Sequence, residues 1–161
     1  MRKVIVNSTP LIALSNINQL ELLKKIYGVV MIPKAVYDEV TAKSDSACRQ
    51  VKAAYDWIQI CTIHNTEEKK MYRAKLHDGE VEVMILAQEA PVAELIIIDD
   101  NTAKKTAKYL GITVTGTLGI LLKAKRLGFI KQIKPLLENL QQSGFYIGKK
   151  VLQYVLENAN E

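Results

Sequence analysis

The most constraining feature of this chain is the run Leu95-Ile-Ile-Ile98 followed at once by Asp99 and Asp100. Four consecutive apolar residues leave no polar face. Such a strand belongs in a sheet covered on both sides, which in practice means a parallel sheet between layers of helices. Two acids at the end of a strand of this kind stand where open α/β sheets collect ligands, beyond the carboxyl ends of the strands.

The rest of the chain fits this frame. Lys3-Val-Ile-Val6, Val29 to Ile32, Ile58 to Ile63 and Ile112 to Thr115 read as further strands. Helical segments lie between them: from Pro10 to Ile17, Leu20 to Tyr27 ended by Gly28, and from Pro33 with Ala35, Val36 and Val40 as its buried stripe. Others are Ser46 to Trp57, a charged segment Thr66 to Leu76, a helix capped by Asp78, and Asn101 to Leu110. The alternation predicts an α/β fold of three layers, a central parallel sheet with helices on both faces. After Gly116-Thr-Leu-Gly119 a helix runs to about Leu127. A C-terminal helical pair follows, Pro135 to Gln142 and Gly148 to Asn158, joined through Phe145 and Tyr146. At 161 residues, with few Pro and Gly and no repeat, residues 1–161 are expected to form one domain. No apolar run is long enough to cross a bilayer. No charged-then-apolar leader precedes Lys3, so a cytoplasmic location is expected. Cys48 and Cys61 lack metal-ligand spacing and read as free thiols. The formal charge of +5 is a weak attraction toward phosphate backbones.

If the strands are parallel, Asn7, the Asp99–Asp100 pair and the threonines around Gly116 project at one edge. Glu39, late in the Pro33 helix, and Glu80, in the first turn of the Asp78 helix, are the acids placed to join them. Clustered carboxylates of this kind suit Mg²⁺ or Mn²⁺, which take hard oxygen ligands and keep several waters. That is the chemistry of metal-assisted phosphodiester cleavage. Each residue also has a purely structural reading. Glu80 sits well in a helix's first turn. Asp99, Asp100, Asn7 and Thr117 all suit helix caps. Glu39 suits a solvated face. The functional reading draws its weight from their convergence. A dinucleotide site is disfavoured, because the turn after the first strand reads Asn-Ser-Thr-Pro and lacks glycines.

Several motifs in order resemble the PIN-domain family: Asn7-Ser-Thr-Pro-Leu-Ile12, Pro33-Lys-Ala-Val-Tyr-Asp-Glu39-Val40, Gly79-Glu80-Val-Glu82-Val-Met-Ile-Leu-Ala87, Ile98-Asp99-Asp100 and Val114-Thr-Gly-Thr-Leu-Gly-Ile-Leu121. The resemblance implies a metal-dependent endoribonuclease acting on RNA, often the toxin of a prokaryotic toxin–antitoxin pair. It places the second family acid on Glu39, the third on Glu80 and the fourth on Asp99 or Asp100, with Asp99 preferred because it is nearer the strand end. The first acidic position holds Asn7. An amide lends an oxygen to a metal but neither charge nor basicity, so weakened activity is expected. The rival reading is a degenerate PIN domain that binds nucleic acid or protein without catalysis. The apolar stripes of the C-terminal pair (Leu136, Leu137, Leu140, Val151, Leu152, Val155, Leu156) fit packing on the parent domain, a homodimer face or an antitoxin segment.

Overall fold

The computed structural model describes residues 2–161. Five parallel strands form one sheet: β1 (Val4–Val6), β2 (Val30–Pro33), β3 (Ile58–Cys61), β4 (Leu95–Ile97) and β5 (Val114–Thr115). Their order across the sheet is β3-β2-β1-β4-β5. The chain therefore builds outward from β1 on one side, then returns to β1's other flank with β4. The crevice at this change of direction lies between the carboxyl ends of β1 and β4, where α/β sheets bind ligands. The register there is Val6 opposite Ile97, and the Asn7 amide N–H continues the ladder by donating to the Ile97 carbonyl at 2.9 Å.

Among the described residues, ten helices complete the layers. α1 (Ser8–Asn16), α2 (Glu21–Tyr27), α3 (Lys34–Val40) and α4 (Ser46–Ala53) lie in the first half, with α5 (Lys69–Arg73) and α6 (Asp78–Gln88) before β4. α7 (Asn101–Tyr109), α8 (Thr117–Arg126), α9 (Lys134–Gln142) and α10 (Lys149–Asn158) follow. Val4, Ile5, Val6, Ile96, Ile97 and Ile98 are all fully buried, as their unbroken apolar runs require. Burying each isoleucine contributes roughly 1.5–3 kcal/mol.

α6 decides where the acids stand. Every residue from Gly79 to Ala87 is buried, the pattern of a helix covered all round. Its C-terminal end is fixed by Lys3, whose ammonium donates to the Leu86 carbonyl at 2.6 Å and the Glu89 carbonyl at 2.8 Å. Burial pushes the Lys3 pKa down, partly opposed by Glu89 and Cys61. Held at that end, α6 runs antiparallel to the sheet and delivers its N-terminus, with Glu80, to the strands' carboxyl edge.

Two expectations need correction. His77, not Asp78, is the N-cap of α6, because Glu80 reaches back to accept from the His77 amide N–H at 3.0 Å and the helix starts at Asp78. The charged segment Thr66 to Leu76 is helical only over Lys69–Arg73, and that helix fully buries none of its residues. A short helix without a packed face has only weak intrinsic propensity to hold it. Both cysteines are free thiols. No helix among the described residues is long and apolar enough to cross a membrane.

Candidate functional site

Asn7 is the N-cap of α1 by backbone position, yet its side chain makes no capping hydrogen bond. It is 4% exposed, and its Oδ1 is buried without any hydrogen-bond partner. An unsatisfied buried acceptor costs about 1–3 kcal/mol. Capping therefore does not explain this residue, and its oxygen is left free for a ligand.

The next residue ties the first strand's turn to α3. Ser8 Oγ donates to Glu39 Oε1 at 2.7 Å. The start of α6 packs against the same carboxylate. A Cβ on Gly79 would stand 2.9 Å from Glu39 Oε1 and 3.4 Å from Val36 Cγ2. Glycine at this position lets α6 approach α3 closely enough to set Glu39 beside the helix end that carries Glu80.

Glu80 is 8% exposed. One oxygen accepts from His77, so its structural reading is correct as far as it goes. The capping does not neutralise it. Burial pushes its pKa up, the His77 amide pulls it down, and the Asp100 and Glu39 carboxylates push it up again. The Asp100 and Glu39 carboxylates are thus near enough to disfavour the charge on Glu80.

The Asp99–Asp100 pair divides its work. Asp99 Oδ1 accepts from the Thr117 amide at 2.8 Å and Oδ2 from the Thr117 hydroxyl at 2.7 Å. Thr117 is fully buried, so this clamp fixes the turn from β5 into α8. A Cβ on Gly116 would fall 2.6 Å from Asp99 Oδ1 and 3.1 Å from Lys104 Nζ, so residue 116 must be glycine for the clamp to close. Asp100 caps α7, with Oδ2 accepting from the Ala103 amide at 2.9 Å. It is Asp100, not Asp99, that raises the pKa of Glu80.

Sequence patterns leave Ser8 and Thr117 without their partners and miss Lys104. The Ser8 contact with Glu39 spans 31 residues. Thr117 was visible only as a strand-end threonine, without its partner. Lys104 carried no signal at all. Glu82, also buried, is engaged by other partners: its Oε1 accepts from the Ala35 amide at 3.0 Å, and its Oε2 pairs with Lys69 at 3.0 Å. It supplies α3 with the first-turn acid that α3's own sequence lacks.

Among the described residues, no three His, Cys, Asp or Glu side chains meet closely enough to hold a metal ion by themselves. The donors at this edge are nevertheless all hard oxygens: the free Asn7 amide oxygen and the carboxylates of Glu39, Glu80 and Asp100, with Asp99 adjoining. Mg²⁺ keeps several waters and needs only one or two carboxylates. The residues present therefore fit a hydrated hard cation and do not form a closed cage.

Residues 3–161 match a family model described as a PIN domain (DUF3368). No curated protein matches the chain. PIN domains have a nuclease-type fold and generally use divalent metals. With 3–161 of 161 residues covered by that model, and with the parallel sheet and its acid-lined edge in place, the chain belongs to the PIN-domain family.

Proposed function

We propose that this chain is a metal-dependent endoribonuclease acting in the cytoplasm as the toxin component of a toxin–antitoxin pair, with its rate lowered by Asn7. The observation that carries the reading is the buried, unpartnered Asn7 Oδ1 on the same edge as Glu80, whose charge is disfavoured by burial, Asp100 and Glu39. The toxin role and the antitoxin partner rest on the motif resemblance.

Asn7 Oδ1, Glu39, Glu80 and Asp100 would hold Mg²⁺ or Mn²⁺, with Asp99 supporting the edge through Thr117. When bound, such an ion supplies Lewis-acid polarisation of a phosphoryl oxygen and lowers the pKa of a coordinated water. The chain's own residues do the positioning. Ser8 holds one oxygen of Glu39 and leaves the other free. The His77 amide does the same for Glu80, and the Ala103 amide for Asp100. Proximity to Glu80 favours Asp100 over Asp99 as the fourth acid.

A second reading keeps the fold without catalysis. It is favoured by the neutral Asn7 at the first acidic position. Cleavage of single-stranded RNA with Mn²⁺ or Mg²⁺ decides between the two. Asn7→Asp is expected to raise the rate tenfold or more, which needs about 1.4 kcal/mol per decade, and Glu80→Gln is expected to abolish cleavage. If Asn7→Asp stays inert while binding metal, the non-catalytic reading replaces the enzyme.

A further inference from the structure

A cavity of about 630 Å³ opens directly from Asp99. Its walls come from the start of α7, the turn into α8 and the segment joining α9 to α10. On one side stands Lys104, half-buried and without a salt bridge among the described residues. On the other stand Phe145 and Tyr146. Tyr146 is 89% exposed, with no hydrogen bond to its hydroxyl among the described residues. Its ring lies close over the start of α10, where a Cβ on Gly148 would be 3.7 Å from the hydroxyl oxygen and 4.0 Å from Cε1. The ring is thus held by little else and open to solvent. Lys149 and Lys150, both exposed, follow immediately.

An exposed aromatic ring beside unpaired cations is poor design for a solvated surface. It is the arrangement by which single-stranded nucleic acid is gripped: bases stack on aromatic faces while cations follow the phosphates. The volume falls in the roughly 300–1,000 Å³ range of small-ligand sites. It suits one or two unstacked nucleotides. The cations and the net charge of +5 complement a polyanion. The cavity's continuity with Asp99 places this strand beside the acids.

We propose that the groove between Lys104 and Tyr146 holds single-stranded RNA next to the cleaved phosphate, with a base stacked on Tyr146 and a phosphate on Lys104. The substrate assignment rests on the nuclease reading, whereas the groove's affinity for the strand is tested apart from it.

The test is fluorescence anisotropy of a labelled single-stranded oligoadenylate with the full chain in EDTA, so that no cleavage intervenes. Tyr146→Ala is expected to weaken binding about 5- to 150-fold, the equivalent of a stacking contact. Tyr146→Phe, which keeps the ring, is expected to restore it. Lys104→Ala is expected to lower the slope of log affinity against log salt by about 0.7, the share of one phosphate contact on a single strand. Circular dichroism and melting confirm that each variant is folded. The proposal is overturned if Tyr146→Ala binds as tightly as the unaltered chain, which would leave the ring to a protein partner. It is equally overturned if duplex RNA competes as well as the single strand, or if the unaltered chain does not bind. Parallel assays with Mn²⁺ separate the two claims. Tyrosine-dependent binding without cleavage upholds the groove and removes the nuclease reading. Cleavage unchanged by Tyr146→Ala upholds the nuclease and overturns the groove.

Discussion

Two glutamates in this molecule have opposite surroundings. Glu161, at the far end of the chain, is given everything a carboxylate needs. Its oxygens accept from the Ile133 amide at 2.7 Å, the Lys134 amide at 3.0 Å and the Lys125 ammonium at 2.7 Å. Burial pushes its pKa up, but these bonds and the lysine's charge outweigh burial and hold it at about 2. Glu80 receives one amide N–H and two neighbouring carboxylates, and its pKa is raised. The first arrangement is a lock that ties the C-terminus to α8 and to the start of α9. The second is a charge left uncompensated by the protein, which is how a fold sets aside stability for a ligand that arrives later. The comparison sorts these acids by what each carboxylate receives: donors and a cation at Glu161, one amide N–H and like charges at Glu80.

The largest expected effect tests the boundary between the two classes. Asp99 is compensated by Thr117 yet borders the functional edge. Thr117→Val keeps the shape and removes the hydroxyl donor. The account expects a loss of about 2 kcal/mol, or roughly 4–8 °C in Tm at this chain length. A calorimetric scan in metal-free buffer reads it, and an unchanged Tm would show that the clamp is not structural.

Glu161→Gln is expected to have a smaller effect, about 1 kcal/mol, because the pair with Lys125 is partly open to solvent. Its pH dependence is the sharper reading. A depressed pKa stabilises the fold above the ordinary glutamate value near 4.5 and loses that contribution as pH falls toward about 2. The gap in Tm between the variant and the unaltered chain is therefore expected to be full at pH 7 and to close over that acid range.

Glu80→Gln is expected to have the smallest effect on stability, and of opposite sign. The native state keeps this proton to higher pH than the unfolded chain does, so the contribution of Glu80 is intact below about 4.5 and is lost as pH rises past its raised value. In metal-free buffer at neutral pH the variant should therefore melt slightly higher than the unaltered chain. That advantage should vanish in acid. A variant that melts lower at neutral pH would place Glu80 with Glu161, as a structural acid.

The layered fold was legible because burial on both faces leaves unbroken apolar runs, and Leu95 to Ile98 and Val4 to Val6 have them. β5 was legible only as part of a longer segment, since two residues suffice once β4 provides the template. The acids were legible one at a time through their places after strands and in first turns. Their partners were not. Ser8 with Glu39, Thr117 with Asp99 and Glu82 with Ala35 are separated by 31, 18 and 47 residues, and nothing local encodes such pairings. The cap of α6 was misplaced by one residue, because a glutamate reaching back to its own N-cap amide lets His77 take a place where sequence preference favours Asp78. Position in the sequence favours Asp99 as the acid nearer the strand end, but says nothing of what either carboxylate touches. Only folding shows that one holds Thr117 while the other raises the pKa of Glu80.

The central claim is that the repulsion around Glu80 is maintained to hold a divalent cation. The most direct measurement is Tm against Mn²⁺ concentration for the unaltered chain and for Glu80→Gln. A ligand that binds only the native state at about 100 times its Kd adds about 2.7 kcal/mol, roughly 5–10 °C here. The account predicts that rise in the unaltered chain and a flat response in Glu80→Gln, so that the order of the two melting temperatures inverts as metal is added. Parallel rises in both proteins, or no rise in either with the carboxylates intact, would contradict it.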